Sequence, residues 1–261
     1  MALNLSEEKV GITIAVVLVI IFFASIIQFL ILGYFHFFKV ETFCEENAQY
    51  KVFVINLPER SERLNGFNQS YSLHTPYEIK KGINGNLLNI EHLKEIGVLG
   101  TDLDNDIPSM GSIGCYLSHY EIWKQIVYED INIAIVFEDD TIFEEKITEN
   151  DITSRILELP ENWDIYIIGR PHTRLETEKV NGSRDIVRVT TFYGSHAYVI
   201  NKRGADKCIN NQKVFPIRKQ IDQQLSDFSR EKYINIYMHN NNQLLAHNDK
   251  YPSDVQSRQA T

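Results

Sequence analysis

Three consecutive carboxylates, Glu138-Asp139-Asp140, follow directly after an apolar run that begins at Ile131. Carboxylates held side by side repel one another unless a positive charge lies among them. A divalent cation with a bound diphosphate would supply that charge, because Mg²⁺ and Mn²⁺ prefer carboxylate oxygens. The alternative is an acidic turn in water, since Asp and Glu are common at strand ends. The triplet alone does not decide between the two.

Polar residues near a second apolar run suggest a nucleotide contact. Asn56 ends that run and is a candidate for contacting a base or a ribose. Arg60 and Arg63 follow it and, being three residues apart, share one face of a predicted helix. They would lie where a nucleotide binds or would form a solvated basic face. Their spacing alone favours the solvated face.

Two histidines and one glycine lie in apolar surroundings. His119 is on a largely apolar predicted helix and His196 is on a predicted strand. Most histidines in such places are structural, so a functional role is the less common alternative for both. Gly114 near the start of a helix costs stability relative to Ala, which indicates close packing or a nearby ligand.

These side chains are carried by alternating strands and helices. Apolar, β-branched runs predict strands over residues 50–57, 77–83, 131–140, 163–168, 186–191, 195–200 and 233–238. Helical spacing of apolar residues predicts helices over residues 59–69, 87–96, 111–127, 152–159, 203–209 and 220–231, the last of which carries Asp222. Such an alternation predicts an α/β domain with a mainly parallel sheet, whose ligands bind at the carboxyl ends of the strands.

In three segments the apolar residues do not recur at the spacing of a helix or a strand. Residues 99–110 are predicted to be a loop that could cover a site, and residues 171–184 a charged loop. The polar residues 240–261 are predicted to be partly disordered unless they close over a ligand.

Composition excludes several classes of function. The net charge of −9, with no cluster of Lys and Arg, argues against a nucleic-acid surface. The sequence has no GxGxxG motif and no P-loop, so dinucleotide and NTPase sites have no support. Three cysteines (Cys44, Cys115 and Cys208) cannot form a disulfide framework, and the last two are predicted to be core residues.

The N-terminal segment is predicted to be a membrane anchor. Residues 10–38, between Lys9 and Lys39, are 29 residues without a formal charge, and a bilayer core needs about 20 apolar residues. This pattern predicts a single-pass helix in the lipid bilayer, with residues 1–9 as a short tail and 39–49 as a stem. The large C-terminal domain would then lie on one side of the membrane, the lumenal side in a eukaryotic cell.

Six stretches occur in order along the chain: VFVINLPERSERL (52–64), GSIGCYLSH (111–119), AIVFEDD (134–140), GSHAYVI (194–200), the segment 216–225 and SDVQ (253–256). Together they resemble glycosyltransferase family 25, which includes bacterial lipooligosaccharide galactosyltransferases and animal procollagen galactosyltransferases. Together they span nearly the whole chain outside the predicted anchor.

The resemblance implies a GT-A-type, Rossmann-like glycosyltransferase domain over residues 50–256, followed by a tail at 257–261. It implies a UDP-linked sugar donor and Mn²⁺ or Mg²⁺ as the cofactor. By this mapping Asp140 coordinates the metal, and Glu138 contacts the metal or the ribose. The remaining nucleotide-sugar-binding candidates are Asn56, Arg60, Arg63, His119, Asp139, Gly194 and His196.

The resemblance also implies an inverting reaction that moves a hexose, galactose or glucose, to a glycan, a lipid-linked saccharide or a hydroxylysine-containing protein. Such a reaction needs a base to remove the proton of the acceptor hydroxyl. Asp222 is the candidate base, with Asp254 and Asp139 as rivals, and Glu138 is a further catalytic candidate.

Two other functions stay open. The first is a catalytically silent family member that keeps the fold as a binding or adhesion module. The second is a nucleotide-sugar pyrophosphorylase, although those enzymes carry a glycine-rich loop near the N-terminus and residues 56–64 contain none.

Overall fold

The computed structural model describes residues 17–32, 34, 50–100, 109–143, 146–171, 174–240, 246–247 and 251. The chain divides into two units, Met1–Ala48 and Gln49–Thr261. Several predicted features lie outside the described residues: the tail 1–9, the stem 39–49 with Cys44, most of the loop 99–110, and residues 252–261, which include Asp254 and the SDVQ stretch.

In the first unit, residues 17–32 form a helix with exposed apolar side chains. Within the part of the chain that the structure describes, no helix is both long enough and apolar enough to cross a membrane. The anchor over residues 10–38 therefore stays a prediction.

The second unit combines ten strands with six helices among its described residues. The strands are β1 (Lys51–Asn56), β2 (Tyr77–Lys81), β3 (Ile133–Glu138), β4 (Thr141–Ile142), β5 (Ile165–Ile167), β6 (Leu175–Lys179), β7 (Ile186–Phe192), β8 (Ala197–Asn201), β9 (Ile236–His239) and β10 (Ala246–His247). The helices are α1 (Ser61–Ser70), α2 (Ile90–Glu95), α3 (Met110–Tyr128), α4 (Glu149–Leu157), α5 (Lys202–Asn210) and α6 (Ile221–Arg230), and a short 3₁₀ turn spans Gly85–Leu87.

Eight strands form one sheet in the order β2-β1-β3-β8-β5-β9-β7-β6. The α/β class is confirmed, but the prediction of a mainly parallel sheet is wrong. Pairs β1–β2, β1–β3 and β5–β9 are parallel, whereas β3–β8, β5–β8, β7–β9 and β6–β7 are antiparallel. A short connection without a helix joins β6 to its neighbour β7, whereas a parallel neighbour requires a crossover of about a dozen residues or more.

Two segments that were predicted to lack structure form strands. β6, within the predicted loop 171–184, pairs with β7 at the sheet edge, where all five of its residues are exposed. An exposed edge strand tolerates charged side chains, so it shows no apolar pattern. β10, in the polar C-terminal segment, pairs with β4, the strand that immediately follows the acidic triplet.

The central strands are buried on both faces, as a covered sheet requires. On one face Ala134 and Val136 of β3 join the same apolar core as Trp123 of α3. On the other face Phe137 packs against Phe67 of α1, with ring centroids 5.6 Å apart. Helices therefore cover both faces of β3 and fix the position of the carboxylates that follow it.

Gly114 allows α3 to pack directly against the backbone between β2 and the 3₁₀ turn. A Cβ atom at Gly114 would lie 2.2 Å from the Ile83 carbonyl oxygen and 2.7 Å from the Gly85 nitrogen. Nearby, the Ile83 amide donates to Ser118 Oγ at 2.8 Å. Close packing therefore accounts for this glycine.

We expect Gly114→Ala to lower the free energy of unfolding by about 1–3 kcal/mol, although Ala favours helices more than Gly does. The added methyl group would force the backbone contact with Ile83 apart. Chemical denaturation measures the change. Lys124→Ala, at an exposed position of the same helix, is the control and should change stability by less than about 0.5 kcal/mol. Unchanged stability in Gly114→Ala would contradict the packing argument.

Candidate active site

The carboxyl ends of four strands meet at one edge of the sheet. β1, β3, β5 and β9 run in the same direction, and β8 runs against β3 and β5, so its first residue lies at that edge. A cavity of about 570 Å³ opens at the ends of β1 and β3 and before the start of β8. Nine of the ten predicted site residues line it: Arg60, Arg63, His119, Glu138, Asp139, Asp140, Gly194, His196 and Asp222.

Arg63 bridges two carboxylates of the acidic triplet. Its Nη1 donates to Asp139 Oδ1 at 3.3 Å and its Nη2 donates to Asp140 Oδ2 at 3.2 Å. All three side chains are buried. Arg63 is therefore an internal counter-ion of the triplet, and the interpretation as a solvated basic face is wrong for it.

Asn56 supports the same turn from the end of β1. Its Nδ2 donates to Asp139 Oδ2 at 2.7 Å and to the Arg60 carbonyl at 3.1 Å. Asn56 is the predicted site residue outside the cavity lining. Arg60 lines the cavity with a partly exposed side chain, and its Nη1 lies 3.8 Å from Glu62 Oε1.

Burial is the largest of several effects on the pKa of Asp139. Burial raises the pKa of Asp139, and the charges of Asp140 and Glu138 raise it further. The charge of Arg63 and the hydrogen bond from Asn56 lower it, and the net effect is a pKa of about 7. Asp139 therefore gains or loses its proton near neutral pH.

Glu138 is oriented by a chain of hydrogen bonds from α3 and β8. Trp123 Nε1 donates to the Tyr198 hydroxyl at 3.1 Å, and that hydroxyl lies 2.9 Å from His119 Nδ1. His119 Nε2 lies 3.4 Å from Glu138 Oε1. Ser195 Oγ donates to the same oxygen at 2.9 Å. The carboxylate is held in place from two sides.

Hydrogen bonding also keeps Glu138 ionised. Burial would raise its pKa, but the hydrogen bond and charge of His119, the charge of His196 and the Ser195 hydroxyl hold the pKa of Glu138 well below its usual range. Within one triplet, Glu138 is therefore held ionised while Asp139 is shifted toward its protonated form.

Asp222, at the start of α6, holds the loop between β7 and β8. Its Oδ2 accepts from the Gly194 amide at 2.9 Å and its Oδ1 accepts from the Gln223 amide at 2.7 Å. Gly194 has a φ of +104°, which other residues rarely adopt. Burial raises the pKa of Asp222 despite these two hydrogen bonds, and the Glu138 charge adds to the effect.

His196 lies in the bend before β8 and not on a strand as predicted. The strand begins one residue later, at Ala197, and Gly169, just beyond the end of β5, packs against the His196 ring. A Cβ atom at Gly169 would lie 2.5 Å from His196 Nε2. The ring is buried, and its position at the end of the sheet places it in the cavity wall.

Four further residues belong to the site. Cys115 lines the cavity one helical turn before His119, a spacing that could have indicated it in the sequence. Ser195 and Tyr198 hold Glu138 and His119. Tyr251 lies against Arg63, whose guanidinium carbon is 5.8 Å from the centre of the Tyr251 ring. No local pattern near Tyr251 connects it to Arg63.

The donor set suits the metal that the family resemblance implies. Glu138 and Asp140 both line the cavity with carboxylate oxygens, which are the ligands Mn²⁺ and Mg²⁺ prefer. Asp139 suits this role less well, since Arg63 and Asn56 each hold one of its oxygens. Glu138 and Asp140 are therefore the residues that fit a divalent cation.

Comparison with known proteins finds relatives that belong to one family. Residues 49–225 match the family described as "Glycosyltransferase family 25 (LPS biosynthesis protein)". Procollagen galactosyltransferase 1-A of Xenopus laevis is 30% identical over 64% of this chain and 30% of its own length. A glycosyltransferase 25 family member of Aedes aegypti is 30% identical over 73% of this chain and 33% of its own length.

Not every relative is described as active. The probable inactive glycosyltransferase 25 family member 3 of Bos taurus is 28% identical over 79% of this chain and 35% of its own length. The chain spans about a third of the length of these curated relatives. The family match covers more than half of the chain and includes the acidic triplet, Arg63, His119 and Asp222. The chain therefore belongs to glycosyltransferase family 25.

Proposed function

We propose that the chain is a GT-A-type glycosyltransferase that moves a hexose, galactose or glucose, from a UDP-sugar to a hydroxyl of a glycan, a lipid-linked saccharide or a hydroxylysine-containing protein. One observation carries the proposal. The cavity at the carboxyl end of β3 brings together an acidic turn with its own arginine and, from α6, a carboxylate with a raised pKa. Nucleotide ligands of α/β sheets bind at this end of the strands.

In this proposal Arg60 and the acidic turn bind the donor. The partly exposed Arg60 offers its guanidinium to the diphosphate, a group that Arg binds well. Arg63 and Asn56 position Asp139 and Asp140 through the hydrogen bonds described above. His119, Gly194 and His196 shape the wall against which the sugar lies.

Glu138 and Asp140 would hold Mn²⁺ or Mg²⁺. When bound, the metal supplies positive charge that stabilises the departing diphosphate. Glu138 suits this role because its low pKa keeps it ionised.

The proposed reaction inverts the anomeric carbon and uses Asp222 as the base. A base removes the acceptor hydroxyl proton as the new glycosidic bond forms, and it works best with a pKa near the working pH. Burial raises the pKa of Asp222 in that direction. The hydrogen bond between Asp222 and the Gly194 amide fixes the carboxylate relative to the loop that holds Glu138 through Ser195.

We further propose that residues 10–38 anchor the chain in a bilayer, with the catalytic domain on one side of it. The 29 uncharged residues between Lys9 and Lys39 support this proposal. In a eukaryotic cell the domain would face the lumen.

A catalytically silent binding module is the second candidate, and the relatives described as inactive favour it. Release of UDP from a panel of UDP-sugars by the full chain, with and without Mn²⁺, separates the two. We expect Mn²⁺-dependent release from one UDP-hexose. Absence of release from every donor, with UDP still binding, would instead support the silent module.

A further inference from the structure

A second group of potential metal ligands lies in the same cavity, apart from Asp139 and Asp140. One ligand atom from each of Cys115, His119 and Glu138 lies within 4.8 Å of the other two. Cys115 and His119 are one turn apart on α3, so their side chains project from one face of the helix. Glu138 reaches them from the end of β3.

The spacing of two of these ligands, His119 and Glu138, fits one tetrahedral ion. The hydrogen bond between His119 Nε2 and Glu138 Oε1 is a long one, with the two atoms 3.4 Å apart. Two ligands that each lie about 2.0–2.2 Å from a tetrahedral zinc ion are themselves about 3.3–3.6 Å apart. The two atoms are therefore already at the distance that a shared zinc ion requires.

Neighbouring groups hold the His119 ring and the Glu138 carboxylate in fixed orientations, as in known metal sites. A metal-binding His usually has its second ring nitrogen fixed by a hydrogen bond. Here Tyr198 lies 2.9 Å from Nδ1 and is itself held by Trp123, so Nε2 points to Glu138. Ser195 fixes the carboxylate in the same way.

The chemistry of the ligands selects the ion. A sulfur, an imidazole nitrogen and a carboxylate oxygen suit Zn²⁺, whereas Mn²⁺ and Mg²⁺ prefer oxygen alone. We propose that Cys115, His119 and Glu138 form a zinc site, with the fourth position open to the cavity. Binding would displace the proton of the Cys115 thiol to solvent, because the thiolate is the metal ligand.

A zinc ion at this site would affect hexose transfer, a consequence that rests on the proposed function. Zinc at this site would use the Glu138 carboxylate that the donor metal also needs. Zn²⁺ would then inhibit hexose transfer in competition with Mn²⁺. Binding of zinc itself does not depend on any transfer activity.

Cobalt absorption tests the site without an enzyme assay. Co²⁺ replaces zinc in such sites, and a bound thiolate gives it a charge-transfer band in the near ultraviolet. We expect the full chain to show this band, Zn²⁺ to remove it, and Cys115→Ser to lack it. The matched controls Cys208→Ala and Cys44→Ala, which change the other two cysteines, should keep the band.

A second variant tests the site if Cys115→Ser fails to fold. Tyr198→Phe keeps the ring and removes the group that holds Nδ1, and we expect it to weaken Zn²⁺ binding by about tenfold or more. The proposal would be overturned by a wild-type chain without a thiolate band or by a band that persists in Cys115→Ser. Unchanged Zn²⁺ affinity in Tyr198→Phe would also contradict it.

Discussion

Replacing Asp140 with alanine is expected to lower the rate of hexose transfer by about a thousandfold and to remove its dependence on Mn²⁺. A bound metal stabilises charge on a leaving group by several kcal/mol, and about 4 kcal/mol corresponds to that loss in rate. Asp140 lines the cavity and is held by Arg63 at 3.2 Å. Initial rates over a range of Mn²⁺ concentrations measure both effects.

The same substitution removes part of a buried ion pair, so folding must be measured alongside activity. Loss of one partner leaves the other charge buried, although Asp139 still faces Arg63. Asp140→Asn keeps the size of the side chain and is the matched variant. We expect it to melt close to the wild type and still to lack metal-dependent transfer. A folded Asp140→Ala chain with normal, Mn²⁺-dependent turnover would exclude Asp140 as a metal ligand.

Asp222→Asn is expected to stop transfer while leaving donor binding intact. Loss of a general base lowers kcat by about 10²–10⁴-fold, whereas the affinity for UDP should change little because Asp222 contacts the Gly194 loop and not the acidic turn. Single-turnover rates and a UDP titration measure the two quantities separately. Loss of the base should also remove the acidic limb of the pH profile of kcat.

Asp227→Asn is the control for this variant, because Asp227 lies on the same helix and pairs with Lys219 and Arg230 at the surface. It should retain full activity. If Asp222→Asn raises KM for the donor as much as it lowers kcat, Asp222 acts by positioning Gly194. Unchanged turnover would remove Asp222 and leave Asp139, whose pKa is about 7, as the rival base within the described residues.

The elements that carry the site could be predicted because their signals are local. β1 and β3 are buried on both faces and therefore read as continuous apolar runs. The direction of β8 could not be predicted, since it depends on pairing with β3 and β5, which come from distant parts of the chain. The exposed edge strand β6 has no apolar pattern at all.

The same difference between local and distant signals applies to the site residues. The acidic triplet is visible because its three residues are adjacent in sequence. Its counter-ion is not, since Arg63 lies 76 residues before Asp139 and its spacing from Arg60 favoured a solvated face. The family resemblance implies a donor-nucleotide contact for Arg63 and not an ion pair with the triplet. The apolar helical context of Cys115 predicts a plain core residue, and its proximity to Glu138 depends on the packing of α3 against β3.

Calorimetric titration of UDP into the full chain, with and without Mn²⁺, tests most directly whether the cavity at the end of β3 is a donor site. We expect Mn²⁺-dependent binding that Asp140→Ala loses and Asp222→Asn keeps. Failure of UDP to bind under either condition, or equal binding by wild type and Asp140→Ala, would contradict it.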